Sequence, residues 1–261
     1  MFDFHLHSSV SFDSTTPSVE ILRAAERKGL CEICFTDHYD CHDAPTDAHD
    51  LFTAEEYAKA YDGLSSNSVL IRRGVEFGMT KWNRAELDAL LLQHNFDFVI
   101  GSVHYAGGFD PYDPDYWQGK TVQVAFSEYL VRSLECVGVH DNYDVLGHLN
   151  YVCKSPNNPA REPLRYEDYS DICDEIMKVL VQKGKGMEIN TSGVDCVGDF
   201  LPSAPFLRRF KELGGEIVTV GSDAHDPARV GQYATEALAI LKDIFGYVCT
   251  FEGRRPIFHK L

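Results

Sequence analysis

Hydrophobic and polar positions follow two periods that take turns along almost the whole chain. Short strand-like runs cover 2–6, 31–36, 69–76, 97–103, 144–148, 186–190 and 216–222. Longer stretches with apolar residues three and four apart predict helices near 17–28, 54–63, 84–94, 123–138, 167–183, 204–213 and 234–245. In the first helix Val19, Ile21, Leu22 and Ala25 make the apolar face, and Glu20, Arg23, Glu26 and Arg27 the solvated one. Ile172, Ile176, Val179 and Leu180 repeat the pattern at 167–183. Thr16 is placed to cap the first helix, Pro17 suits its first turn, and Gly29 follows its end. A last β-like run, Tyr247–Phe251, leads through Gly253-Arg254-Arg255-Pro256 to a tail that can pair back.

Strand alternating with helix implies a parallel sheet covered by helices, either open or closed into a barrel. No G-x-G-x-x-G follows the first strand, which removes support for a dinucleotide fold. Two segments interrupt the rhythm: 39–53, rich in Asp and His, and 106–120, rich in Gly, Pro, Asp, Tyr and Trp. Loops of that length in a compact domain are usually functional or disordered. With no linker, low-complexity tract or repeat visible, residues 1–261 read as one domain.

Composition narrows the function. With 44% hydrophobic and 25% charged residues, disorder and coiled coil fall away. A net charge of −16 disfavours nucleic acid and anionic membrane as partners. No apolar run approaches the roughly 20 residues that span a bilayer. Met1 is followed by Phe-Asp-Phe-His rather than a leader, so a cytoplasmic location is expected. The eight cysteines read as buried thiols; Cys31-x-x-Cys34 falls on a strand and lacks the second pair that a zinc knuckle requires.

The informative pattern is what stands at each strand's C-terminal end. In order these are His5-Leu6-His7, Thr36-Asp37-His38, Glu76, Gly101-Ser102-Val103-His104, Gly147-His148, Glu188-Ile189-Asn190 and Gly221-Ser222-Asp223-Ala224-His225. In a parallel barrel these ends converge on one face. His5 and His7, two apart on an extended strand, project to one side and can share an ion, as can Asp223 and His225. Six histidines (5, 7, 38, 104, 148, 225) and three carboxylates (Asp13, Glu76, Asp223) are too many ligands for one tetrahedral zinc. They suit two or three ions of Zn, Mn or Fe sharing carboxylate bridges. Histidines 42, 49, 94, 140 and 259 read as solvent-facing or structural.

These blocks, in this order from residue 5 to about 231, resemble the PHP (polymerase and histidinol phosphatase) metallophosphoesterases. Glu188-Ile189-Asn190-Thr191-Ser192-Gly193, and Gly221–Pro227 followed by Val230-Gly231, are similar to the histidinol-phosphatase branch. The resemblance implies a distorted seven-stranded (β/α) TIM-like barrel with a trinuclear metal centre. It implies that His5, His7, Glu76 and Asp223 hold one ion, that Glu76 bridges to a second on His104 and His148, and that Asp13, His38 and His225 hold a third. The chemistry is hydrolysis of L-histidinol phosphate in histidine biosynthesis, with another small phosphoester or nucleotide as the alternative and a non-catalytic metal-stabilised binder as a remote one. Glu76, Asp223 and His225 are the expected catalytic residues; Asp37, His38 and His225 are each conceivable general acids.

Arg161, Asn190 and Tyr105 are the expected substrate contacts, with Lys154 a weaker choice for phosphate. Tyr39, Asp40, His42, Tyr105, Phe109 and Tyr112 would form walls for the organic part. Val194-Asp195-Cys196 stands where the branch carries a basic pair, so either Arg161 and the metals suffice or the substrate differs, and Arg229, Arg254 and Arg255 could compensate from other loops. A monomer or homodimer acting on a small phosphomonoester is the expected form.

Overall fold

The computed structural model describes residues 1–41 and 49–261. Its strands are β1 (Phe2–Leu6), β2 (Glu32–Phe35), β3 (His38–Cys41), β4 (His49–Asp50), β5 (Leu70–Gly78), β6 (Phe98–Ser102), β7 (Val145–Leu146), β8 (Gly186–Asn190), β9 (Val218–Gly221), β10 (Tyr247–Glu252) and β11 (Arg255–Lys260). Its α-helices are α1 (Ser18–Arg27), α2 (Ala54–Tyr61), α3 (Arg84–Gln93), α4 (Pro114–Trp117), α5 (Val122–Val139), α6 (Ser170–Gln182), α7 (Gly193–Val197), α8 (Ala204–Glu212) and α9 (Ala234–Ile244).

Seven strands run parallel in the order β1-β2-β5-β6-β7-β8-β9, and the two ends of that row meet. Asp223 N donates to His5 O at 2.8 Å and His7 N to Ala224 O at 3.0 Å. The buried Asp3 carboxylate crosses the same seam, accepting from Ser222 N (2.8 Å), Ser222 Oγ (2.5 Å) and Gly231 N (2.7 Å). The sheet is a nearly closed barrel wrapped by helices, as the strand–helix alternation allowed. No helix among the described residues is long and apolar enough to cross a membrane.

Several local expectations change. The predicted strand 31–36 forms as β2, but a further strand, β3, follows it: β2 pairs with the first half of β5, and β3 with the second, His38 opposite Glu76. Nine-residue β5 outruns β2, and β3 takes up the free edge, so part of the supposed 39–53 loop is strand. Helix α1 begins one residue later than its cap signal implied: Pro17 holds the cap position, and Thr16 Oγ1 instead donates to His225 O at 3.1 Å. The 144–148 run is strand only at Val145–Leu146, and 106–120 contains α4. The tail does pair back, β10 and β11 forming an antiparallel hairpin.

That hairpin closes the bottom of the barrel. Phe4, Cys34, Phe98, Ile100 and Val145 pack against Cys249 and Phe251 of β10, while most other buried apolar residues form the larger cluster beneath the helices. Arg72 reaches Glu32 (2.7 Å) and Glu252 (2.9 Å) at this end. Strict alternation in β1 would place Phe4 and His5 on opposite faces. An irregularity between Asp3 and Leu6 shifts the phase, so Phe4 fills the floor while His5 and His7 still face the barrel mouth. Six of the eight cysteines are buried; Cys31 and Cys196 are exposed.

Candidate metal centre

Every strand of the barrel contributes to a polar cluster at its C-terminal end, and Glu76 lies at its middle. The fully buried Glu76 Oε2 lies 3.0 Å from His5 Nε2, 3.1 Å from His38 Nδ1 and 3.5 Å from His7 Nε2. Its Oε1 lies 2.8 Å from His148 Nε2 and 3.3 Å from His104 Nε2, and accepts from Ser102 Oγ at 2.6 Å. Asp223 Oδ1 faces His7 Nε2 at 3.3 Å and His5 Nε2 at 3.8 Å. Asp13 Oδ2 reaches His225 Nε2 at 3.0 Å and His38 Nε2 at 3.6 Å. All nine expected ligands therefore come together. Asp223 sits at φ 55, a left-handed conformation that turns its carboxylate back into the cluster.

The outer nitrogens of the imidazoles decide what the inner ones can do. His5 Nδ1–H donates to Glu188 (2.6 Å), His104 Nδ1–H to Asp40 (2.7 Å) and His225 Nδ1–H to Asp223 O (3.0 Å). Ser11 Oγ gives its proton to Asp37 (2.9 Å), so it must accept from His7 Nδ1–H (2.9 Å) and from His38 N (3.0 Å). Each of these four rings is left with its lone pair on Nε2, the tautomer that ligates metal. Buried His5 Nε2, His7 Nε2, His38 Nδ1, His225 Nε2 and Glu76 Oε2 have no hydrogen-bond partner. Orphaned buried acceptors are costly unless something satisfies them. The donor atoms also fall into triplets within 4.8 Å of one another: His5/His7/Asp223, His5/Glu76/His148, His7/His38/His225 and His38/Asp40/His104. The residues fit divalent metal.

Electrostatics agree with that fit. Burial opposes charge on Glu76, but His5, His38 and His104 outweigh it and hold the carboxyl well below its ordinary range. Asp223 is likewise held low against burial, chiefly by Lys154 and His5. Burial together with His225 and His38 depresses His7. So many imidazoles around ionised carboxylates form a preset cation site.

Two glycines make this geometry possible. A Cβ on Gly221 would stand 2.2 Å from Glu188 Oε1 and 2.3 Å from His5 Cβ; one on Gly78 would stand 2.3 Å from Asp40 Oδ1. Each missing side chain leaves room for a carboxylate that orients a histidine. Glu188 also accepts from His148 N (3.0 Å) and Asn190 Nδ2 (3.2 Å). Replacing Glu188 by Gln should therefore lower metal affinity or turnover by roughly 10–100-fold. Metal titration of the purified variant checks this, and wild-type affinity and kinetics would refute it.

The cluster opens into a cleft of about 530 Å³ whose walls include Phe12, Asp110, Tyr112, Tyr151, Lys154 and Arg229. The organic-wall and phosphate expectations fare unevenly here. Asp40, Tyr112 and Lys154 line the cleft; Tyr39, Tyr105, Phe109 and Arg161 are not among its lining residues, and His42 lies outside the described residues. Arg161 is exposed on its loop, whereas largely buried Lys154 forms a 2.6 Å ion pair with Asp223 Oδ2. Asn190, expected at the substrate, is fully buried behind His5, its Oδ1 accepting from Ser192 N (3.0 Å) and Oγ (2.7 Å). It supports the site rather than facing it. Asp37 is sealed by Ser8, Ser11 and Tyr61, which removes it as a general acid. Arg254 and Arg255 sit on the hairpin at the far end, Arg254 pairing with Asp144, so only Arg229 of the three arginines reaches the cleft. Sequence reasoning placed Glu188 at a strand end without giving it a role, though its inward phase two residues before Asn190 was the available signal, and it did not single out Asp110.

A parallel barrel carrying histidines and carboxylates at its strand ends defines a metal-binding (β/α)-barrel protein. The chain belongs to the PHP domain family, which its residues 3–192 match. It is 32% identical over 243 residues to the "Probable histidinol-phosphatase" of Clostridium acetobutylicum, covering 93% of each chain. It is 31% identical over 258 residues to the histidinol-phosphatase of Lactococcus lactis, covering 97% of this chain and 95% of that one. The crystal structure of the histidinol phosphate phosphatase of Lactococcus lactis, complexed with zinc, L-histidinol and phosphate, superposes with a TM-score of 0.86 at 29% identity, covering 98% of both chains.

Proposed function

We propose that this chain is a metal-dependent phosphatase that hydrolyses L-histidinol phosphate to L-histidinol and phosphate, a step of histidine biosynthesis. The observation that carries this reading is the likeness over 98% of both chains to a structure holding zinc, L-histidinol and phosphate, in a chain whose nine expected ligands cluster. Two or three ions of Zn, Mn or Fe are the proposed cofactor, held by His5, His7, Glu76 and Asp223; by Glu76, His104 and His148; and by Asp13, His38 and His225. The overlapping donor triplets support more than one ion. When bound, divalent ions supply Lewis acidity toward water and toward the phosphoryl oxygens. The catalytic roles go to Glu76, Asp223 and His225, which would hold the metal whose Lewis acidity acts on the phosphate. The hairpin packed into the barrel floor supports reading 1–261 as one domain.

The chain's own residues do the rest. Lys154 and Arg229 put positive charge in the cleft where the branch's basic pair is replaced by Val194-Asp195-Cys196, so they are the proposed phosphate contacts in place of Arg161. Lys154→Ala should raise KM for a phosphomonoester and lower kcat/KM by roughly 10–100-fold, in the range for loss of a charge-assisted contact. An unchanged kcat/KM would return the role to Arg161, tested alongside as Arg161→Ala.

Phosphate release across a substrate panel tests the function. Histidinol phosphate should exceed glycerol phosphate and nucleoside monophosphates by about a hundredfold or more in kcat/KM, the discrimination available to a site with specific polar contacts. Comparable turnover of a nucleotide would move the assignment to another small phosphoester.

A further inference from the structure

Asp110 is a charged cleft residue that neither the metal cluster nor the phosphate contacts use. Its Oδ1 accepts from Tyr112 N (2.8 Å) and from Tyr151 OH (3.2 Å), and Oδ2 lies 3.3 Å from the same hydroxyl. A carboxylate has about four lone-pair sites, so acceptor capacity remains on the cleft side. No lysine or arginine among the described residues forms an ion pair with it. The Tyr151 ring fixes its distance from the reacting centre. That ring lies 5.1 Å from both His104 and His148 and stacks on Tyr112 at 5.4 Å and 25°. One tyrosine thus separates two metal-site histidines from the Asp110 carboxylate.

We infer that Asp110, backed by the Tyr112–Tyr151 stack, is the subsite for the primary ammonium group of the substrate's leaving alcohol. The cleft then carries a complementary pair of charges, cationic at Lys154 and Arg229 and anionic at Asp110. A β-amino alcohol phosphate matches that pair, its ammonium lying only a few bonds from phosphorus. The aromatic faces favour the same cation. This inference rests on the proposed phosphatase reading and names the feature of the substrate that the site selects.

The test compares kcat/KM for L-histidinol phosphate with that for its deaminated analogue, 3-(imidazol-4-yl)propyl phosphate, in metal-loaded enzyme. Wild type should favour the amine at least tenfold. Asp110→Asn should reduce that ratio about tenfold, mainly through KM for the amine, and Asp110→Glu should restore part of it. If Asp110→Asn does not fold, Asp110→Ser replaces it. A wild-type enzyme that hydrolyses histidinol phosphate without preferring the amine, or an Asp110→Asn ratio within twofold of wild type, overturns the subsite while leaving the phosphatase reading intact. If histidinol phosphate is not hydrolysed, the functional reading fails separately, and ethanolamine phosphate against ethyl phosphate then tests the subsite by the same ratio.

Discussion

Glu76→Gln should lower kcat by about 10²–10³-fold, the scale on which removing central electrostatic stabilisation acts. The substitution keeps the side chain's shape and removes one negative charge from a position within 3.5 Å of five imidazoles. The new amide N–H groups would point at lone pairs on His5 and His7, or on His104 and His148, that metal ions need. A carboxylate oxygen can bridge two cations, whereas an amide nitrogen cannot. Elemental analysis should find fewer ions per chain, together with the loss of phosphate release. Full metal content with wild-type turnover would contradict the placement of Glu76 at the centre of the chemistry. Folding is a separate matter: circular dichroism and thermal melts of the variant distinguish a collapsed cluster from an empty one.

Removing metal should abolish turnover and lower Tm. An ion present at about a thousand times its Kd adds roughly 4 kcal/mol to the folded state, or about 8–16 °C in a chain of this size. The effect should depend on pH in a definite direction. In the metal-free chain burial opposes charge on His38, but Glu76, Asp13 and Asp40 outweigh it and push its pKa up to about 9 from an ordinary 6.5. A raised histidine contributes stability that is fully present below the unfolded value and is lost as pH rises through the folded one. Metal-free protein should therefore lose this contribution between about pH 6.5 and 9. Over the same window an ion meets less competition from protons for the His38 nitrogen. His5 and His104 are also raised, burial again being outweighed by Glu188 and Asp40 respectively together with Glu76, and act in the same sense. The Tm difference between loaded and stripped protein should widen from pH 6.5 to 9. A gap that narrows with rising pH, or a chelated chain that melts with the loaded one, would refute this account.

The net charge of −16 is no obstacle to a phosphate substrate. Several of those carboxylates sit inside the cluster that fits divalent metal, and the local field in a cleft lined by Lys154 and Arg229 and loaded with metal would follow those groups rather than the total. The acidic surface still disfavours polynucleotides, which require an extended basic track.

The strand–helix order and the nine residues that cluster at the barrel mouth were legible in the sequence because both are local patterns. Period-2 and period-3.6 runs mark the elements, and a parallel barrel brings its strand ends to one face whatever lies between them. His5-x-His7 and Asp223-x-His225 needed only strand geometry to be read. The extra strand β3 was not legible, since it depends on how far β5 extends beyond β2. Thr16 looked like a helix cap because a cap signal is short, yet its hydroxyl found a carbonyl more than two hundred residues away.

Contacts between distant segments account for the remaining differences. Arg161 and Lys154 lie seven positions apart on one connection, and nothing local says which turns into the cleft; the turn Tyr151–Lys154 beside Asp223 decides for Lys154. Glu188 becomes the partner of His5 only because Gly221, on the next strand, lacks a side chain. Asp110 acquires its setting from Tyr151, forty-one residues away. By itself the sequence determined which residue types stand at the barrel mouth, because backbone periodicity is written into neighbouring positions. Only the tertiary structure decided which of them bind, which orient and which are sealed away, because those roles depend on space and hydrogen bonds shared between strands far apart in the chain.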